Sequence, residues 1–339
     1  MDINQLKQTV SALLNPTKGI LAADESSKTI QKRFDKIGLT STPQTNLAYR
    51  SMLFTTPGVE QFLSGVILYD ETIRQEIEGV SVPKYLENKG IIPGIKVDKG
   101  VVDFANFPAE KITEGLDGLR GRLEEYAQMG AKFAKWRAVI TIGEEIPTQT
   151  CLEANAEVLA RYAAITQNAG LVPIIEPEVI RGGSHTLEKC AQVTAQTLKA
   201  VFERINVHKV ALEGLLLKTN MATAGEDNPK QATADEVAKA TVDALLESVP
   251  KELPGVVFLS GGQSADMATD NLQAINNIGG PWQLSFSFAR ALQGEALEIW
   301  ARSARGARRA GKEKNVPAAQ KAFLEVTKKV SLARQGKLS

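Results

Sequence analysis

The chain holds only two cysteines and two histidines among its 339 residues, and each scarcity removes a class of chemistry. Cys151 and Cys190 belong to no CxxC pair. One disulfide is formally open to them, but in a chain of this size two buried thiols are the expected state. His185 and His208 lie far apart, with no HxxxH spacing, so a histidine-rich metal site is not expected. No apolar stretch reaches the ~20 residues that span a bilayer. The opening MDINQLKQTVSALLNP reads as an amphipathic helix ending near Pro16. It lacks the charged start, apolar centre and cleavage site of a signal peptide. Lys and Arg number 40 against 39 Asp and Glu, so no global field steers the chain to nucleic acid or to a membrane. An anionic ligand would need a local cluster of cations. A soluble, cytoplasmic protein is the expectation.

What is present is regular. Hydrophobic residues make up 43% of the chain, enough for one large α/β domain or two ordinary ones. Eight short apolar runs alternate with longer helical segments: GILAAD (19–24), GVILYD (65–70), IPGIKVD (92–98), AKFAKWRAVI (131–140), VPIIEPEVI (172–180), EGLLLK (213–218), GVVFLSGG (255–262) and WQLSFSF (282–288). Between them lie patterns at helical spacing, such as 152–170 and 187–205, and Gly170 stands where a helix-ending glycine belongs. Near-continuous apolar strands, each followed by a helix, argue for a parallel sheet covered on its outer face. That count and length predict a single-domain (β/α)₈ barrel, a TIM barrel over 1–339, with an added N-terminal helix and a C-terminal helical segment. A doubly wound sheet would need a GxGxxG turn opening a helix, and none is present. No linker, low-complexity tract or internal repeat divides the chain.

The strand ends carry the chemistry. At or near them stand Asp24, Lys96, Lys135 with Arg137, Glu176 with Glu178, Lys218, Ser260 and Arg290. In a barrel these ends converge on one mouth. Each residue has an ordinary alternative. Lys96 or Arg137 alone reads as a snorkelling side chain, Asp24 as the N-cap of a helix starting near Ser26, and SGG as a tight turn. So many strand ends sharing the property point instead to a built site. Residues two apart on a strand face the same way, so Lys135 and Arg137 share a face, as do Glu176 and Glu178. Carboxylates and cations sharing a dry mouth shift one another's pKa values, as a catalytic site requires. Lys218, a lysine ending a core strand, needs either a partner or a purpose.

Taken together, GILAADES (19–26), GIKVDKG (94–100), GLDGL (115–119), AKFAKWR (131–137), VPIIEPE (172–178), EGLLLK (213–218), FLSGGQS (258–264) and ARALQ (289–293) resemble the class I, Schiff-base fructose-1,6-bisphosphate aldolases. The resemblance runs through nearly the whole chain. It implies reversible cleavage of fructose 1,6-bisphosphate to the triose phosphates dihydroxyacetone phosphate and glyceraldehyde 3-phosphate, with no metal or other cofactor, in a homotetramer. It implies Lys218 as the Schiff-base lysine and Lys135 as the neighbouring cation. Glu176 is then the general acid/base, and Glu178 the residue that positions Lys135. Asp24 is the carboxylate taking the carbon-4 hydroxyl proton. Ser260, Gly261, Gly262 and Arg290 would hold the carbon-1 phosphate. Lys96, Arg137 and Ser26 would stand near the carbon-6 phosphate, with Lys32 and Arg33 close by. Sedoheptulose 1,7-bisphosphate is an alternative substrate, and a non-catalytic sugar-phosphate-binding barrel is the reading from another class.

The chain departs from the family pattern in places. Thr219 stands where proline usually follows the lysine. Phe288-Ala289 replaces Tyr-Gly before the arginine, so Ala289 is expected either to adopt a glycine-like backbone without strain or to shift the phosphate donor slightly. Asn46 and Leu47 occupy positions of two arginines in animal members. The end, ARQGKLS (333–339), offers no counterpart to the C-terminal tyrosine of longer members, and a slower enamine step or another acid is expected.

Overall fold

A computed structural model of the chain describes residues 2–306 and 315–338. Each of the eight apolar runs overlaps a strand: β1 (Gly19–Ala22), β2 (Leu63–Leu68), β3 (Ile92–Lys96), β4 (Phe133–Ile140), β5 (Val172–Val179), β6 (Leu216–Thr219), β7 (Gly255–Phe258) and β8 (Gln283–Phe288); β2 begins two residues before its run and β6 ends one residue after its own. Neighbours in sequence are neighbours in space, every pair is parallel, and β8 closes back onto β1. The fold is a (β/α)₈ barrel.

The helices are α1 (Ile3–Leu13), α2 (Ser27–Asp35), α3 (Pro43–Phe54), α4 (Asp70–Ile73), α5 (Val82–Asn88) and α6 (Leu119–Gln128) in the first half. They continue as α7 (Gln149–Asn168), α8 (Leu187–Val207), α9 (Ala234–Ser248), α10 (Ala265–Ile278), α11 (Arg290–Gly306) and α12 (Val316–Arg334). Parallel neighbours require crossovers of this length, and the crossovers pack their apolar stripes on the outside of the barrel. Local chemistry sets where they start: the Thr148 and Thr186 hydroxyls accept from the backbone N–H of Cys151 and Lys189, and Thr233 with Glu236 forms a capping box on α9. Cys151 and Cys190 are both free and buried.

The lumen has a floor. Ile20, Ile67, Phe133, Val172, Ile174, Leu216 and Val257 form one apolar cluster with Leu6, Val10, Leu13 and Leu14, so α1 plugs the lower end. Two glycines make that layer possible. A Cβ at Gly94 would lie 2.3–2.5 Å from three ring atoms of Phe133, and one at Gly65 would lie 2.7 Å from Cδ2 of Leu13. At the other end of the chain, the buried Arg334 of α12 donates to the carbonyls of Leu14, Asn15, Lys18 and Leu284. The C-terminal helix is thereby tied to the connection between α1 and β1, and the floor cannot move independently of the wall.

Because the Phe133 ring fills the space left by a missing side chain, Gly94→Ala is expected to destabilise the protein by about 1–3 kcal/mol through overpacking. Urea midpoints of the two proteins measure this, and equal midpoints would mean that the lumen holds slack at this layer.

Candidate active site

Alternation along each strand carries the apolar floor upward into a charged layer. On β4, Phe133 lies in the floor and Lys135 and Arg137 follow at steps of two. On β5 the same step runs from Ile174 to Glu176 and Glu178, and on β6 from Leu216 to Lys218. Strand register brings Arg137 level with Glu176 and Lys96 level with Lys135. The result is a cleft of about 400 Å³ at the C-terminal mouth of the barrel.

Four charges form a continuous chain at its base. Lys218 Nζ lies 3.0 Å from Glu176 Oε1, Lys135 Nζ lies 2.9 Å from Glu176 Oε2, and Lys135 Nζ also reaches Asp24 Oδ2 at 2.8 Å. All four residues are buried. Burial alone would raise the Asp24 carboxyl, but Lys135, Lys218 and Lys96 outweigh it and bring it down to about 2. Glu176 follows the same logic: burial pushes its pKa up, and Lys135, Lys218 and Arg137 pull it below the usual glutamate value. For Lys135, burial disfavours the ammonium, yet the carboxylates of Asp24, Glu176 and Asp98 hold its pKa well above the ordinary lysine range. Lys135 is therefore a fixed cation at neutral pH.

Three expectations change on contact with this geometry. Glu178 meets Arg137, with Oε2 2.5 Å from Nε, and not Lys135. The step of two along β5 lifts Glu178 above Glu176, past the level of Lys135, which Asp24 and Glu176 already hold. Against burial, which opposes the charge, Glu178 raises the Arg137 pKa further. Asp24 caps no helix, since Ser26 occupies the N-cap of α2. Ala289 needs no glycine-like backbone, because it is absent from the residues with positive φ. Phe288 is fully buried beside Phe286, a hydrophobic position in which a phenol hydroxyl is not required.

The rim is cationic and loop-built. Gly261 and Gly262 adopt φ of +53° and +84°, the left-handed conformation that favours glycine and that turns successive N–H groups toward one side. Ser260 precedes them and Arg290, the first residue of α11, faces them: a Cβ on Gly262 would lie 3.5 Å from Arg290 Nη2. On the opposite side, Lys96 Nζ is 2.6 Å from Asp98 Oδ1. Every predicted site residue except Gly262 lines the cleft, as do Lys32 and Arg33. Asn46 and Leu47 do not. Asn46 donates to Glu71 and accepts from Ser41, and Leu47 packs on the core. Among the described residues, no three His, Cys, Asp or Glu side chains gather as a metal site.

Ser287 and Glu25 are among the cleft residues passed over in the sequence. Ser287 is buried, lines the cleft, and its hydroxyl has no hydrogen-bond partner in the protein. The signal was the alternation within WQLSFSF, which sets both serines on one face and both phenylalanines on the other. Glu25 pairs with Arg33 and lies 3.9 Å from Arg50, while Arg33 also donates to Gln293 Oε1 at 2.7 Å. Arg33 is thus anchored at the edge of the cleft and does not swing freely.

Comparison with known proteins is consistent along the whole chain. Residues 5–339 match the family described as fructose-bisphosphate aldolase class-I. A probable fructose-bisphosphate aldolase class 1 of Xanthomonas campestris is 50% identical over 339 residues, covering 99% of each chain. The cytosolic fructose-bisphosphate aldolase 5 of Arabidopsis thaliana is 49% identical, covering 98% of this chain and 91% of its own. A solved fructose-bisphosphate aldolase of Plasmodium falciparum superposes with a TM-score of 0.95 at 46% identity, over 99% of this chain and 96% of that one.

The depressed Asp24 pKa has a stability consequence. Since the folded value of about 2 lies below the ordinary 3.8, ionised Asp24 stabilises the fold above about pH 4, and that contribution is lost as the pH falls toward 2. Asp24→Asn is expected to cost about 2 kcal/mol near pH 7, narrowing between about pH 5 and about pH 3. Urea midpoints across that range test it, and a pH-independent difference would contradict it.

Proposed function

From the premise that the chain belongs to the class-I fructose-bisphosphate aldolase family, we propose that it reversibly cleaves fructose 1,6-bisphosphate to dihydroxyacetone phosphate and glyceraldehyde 3-phosphate through a Schiff base at Lys218. The observation that carries this reading is the Glu176 carboxylate shared by two lysines, 3.0 Å from Lys218 and 2.9 Å from Lys135. An amine attacks a ketone only when it is neutral. One proton passed from Lys218 to Glu176 across the 3.0 Å contact leaves a free amine and a carboxylic acid side by side. Lys135 keeps its charge and holds the second Glu176 oxygen in place.

The remaining steps use the same groups. The amine adds to the carbon-2 carbonyl, and protonated Glu176 supplies the proton that lets the carbinolamine oxygen leave as water. The iminium so formed is the electron sink. Asp24 takes the proton of the carbon-4 hydroxyl while the bond between carbon 3 and carbon 4 breaks, its electron pair entering the iminium to give an enamine. A carboxylate held at about 2 is a weak base, so the driving force comes from the sink. Proton return at carbon 3 and hydrolysis release the second triose phosphate.

The phosphates divide between the two rims. Ser260, the Gly261 and Gly262 N–H groups and Arg290 take the carbon-1 phosphate. Lys96, Arg137 and Ser26 face the carbon-6 phosphate, with Lys32 and Arg33 beside them. Ser287 contributes a free hydroxyl at the cleft wall. Arg137 and Lys96 meet the substrate already held by Glu178 and Asp98, and Glu178 acts on Arg137 first. We read residues 1–339 as one catalytic domain in a homotetramer. A cytoplasmic place is supported by the cytosolic relatives, and no helix among the described residues is long and apolar enough to cross a membrane.

Incubation with dihydroxyacetone phosphate, borohydride reduction and peptide mass mapping are expected to yield a single adduct at Lys218, with activity unchanged by EDTA. An adduct elsewhere, or activity lost with EDTA, would sink the proposal. Glu176→Gln is expected to lower kcat by roughly 10²–10⁴-fold, as for loss of a general acid/base, and Lys218→Met to abolish turnover in a folded protein.

A further inference from the structure

Strand β6 is short, and its contact with β5 is shorter. Their register pairs only Leu216 with Ile174 and Leu217 with Ile175, although the residues of interest, Lys218 on one strand and Glu176 and Glu178 on the other, lie beyond that point. In a parallel sheet, alternate N–H groups point to opposite neighbours. Ile180 N–H points to β4, where it donates to the Ile140 carbonyl at 3.0 Å. Position 177 and Val179 therefore face β6. Residue 177 is proline and has no N–H to give. The Val179 N–H is left, and it donates at 3.0 Å to a side chain, Asn220 Oδ1.

Asn220 is buried, two residues after Lys218. Its Nδ2 donates to Thr194 Oγ1 of α8 at 3.1 Å and to the Met221 carbonyl at 3.3 Å. One amide therefore takes over where the β5–β6 ladder stops. It joins the end of the acid/base strand to the end of the lysine strand, and fixes both to the helix behind them.

We propose that Asn220 is a positioning residue that sets the separation of Lys218 from Glu176. The inference rests on the reading of Lys218 as the Schiff-base lysine. Without the Asn220 amide, β5 and β6 are free to part at the level of the reaction, and the 3.0 Å contact that must pass a proton lengthens. Lys96 on β3, Ser260, Gly261 and Gly262 after β7, and Arg290 on α11 are left in place, so the loss falls mainly on turnover and much less on substrate binding.

The test uses the full-length protein and two variants. Asn220→Leu keeps the branched shape and removes these three hydrogen bonds, and is expected to lower kcat by about 10–100-fold, as misplacement of reacting groups does, with KM within about threefold. The rate of borohydride trapping at Lys218 falls by the same factor. Thr194→Val removes only the outer partner of the amide and touches no cleft residue. It is expected to lower kcat by about 3–10-fold, and it carries the test if Asn220→Leu does not fold. Asn220→Asp, which keeps an acceptor for the Val179 N–H, is expected to recover part of the loss. Wild-type kcat in Asn220→Leu or Thr194→Val would overturn the proposal, as would a rise in KM at constant kcat. Failure of the wild type itself to form an adduct at Lys218 would instead refute the Schiff-base reading, so the two failures are told apart in one experiment.

Discussion

The structure depends on an alternation of charge among buried side chains. Asp24, Lys135, Glu176 and Lys218 run minus, plus, minus, plus at contacts of 2.8, 2.9 and 3.0 Å, and all four are buried. Moving any one of these ions from water into the barrel would cost several kcal/mol. As a set they sum to zero, and each is flanked by its opposite. The same balance is chemically unstable in a useful way. Glu176 answers to two lysines, and only Lys135 has a second carboxylate to hold it. A proton moving between Lys218 and Glu176 converts one ion pair into two neutral reactive groups without changing the total charge.

Such a chain needs a rigid frame, because an ion pair in a low dielectric loses its advantage when its geometry loosens. The barrel supplies the frame from below. Phe133 seated against Gly94, Leu13 against Gly65, and α1 closing the lower end leave the lumen filled up to the first charged residue. The strands that carry the charges are thus fixed one step beneath them. Above the floor the hydrogen-bonded wall thins, and β5 and β6 part after Ile175 and Leu217. The site is built where the wall stops dictating the geometry and side chains take over.

This division explains what was legible in the sequence. The barrel was readable because parallel strands covered on both faces are apolar almost throughout, and each of the eight runs falls on a strand. Asp24, Lys135, Glu176 and Lys218 were readable because a charge ending such a run is hard to account for otherwise. Alternation correctly set Lys135 with Arg137 and Glu176 with Glu178. What it could not give was the height of one strand against its neighbour. Glu178 was therefore assigned to Lys135, when its side chain meets Arg137. Ser287 was hidden because a serine within a strand is unremarkable until the facing residues are known, and Asn220 because its role depends on Pro177, far away in sequence, lacking an N–H.

A contrast between base and rim completes the picture. At the base, charges are compensated by the protein. At the rim they are compensated in part, and unequally. Lys96 is held by Asp98 and Arg137 by Glu178, while among the described residues no carboxylate lies within ion-pair distance of Arg290, which is exposed. A dianion arriving beside Arg290 and the paired glycines meets donors that have no protein partner to give up. One arriving at Lys96 and Arg137 must compete with two carboxylates already in contact. On the proposed assignment of the phosphates, the two ends of a bisphosphate would meet sites of different readiness, with the stronger hold on the side next to Lys218. That asymmetry suits a reaction in which one half of the substrate stays covalently attached while the other half departs.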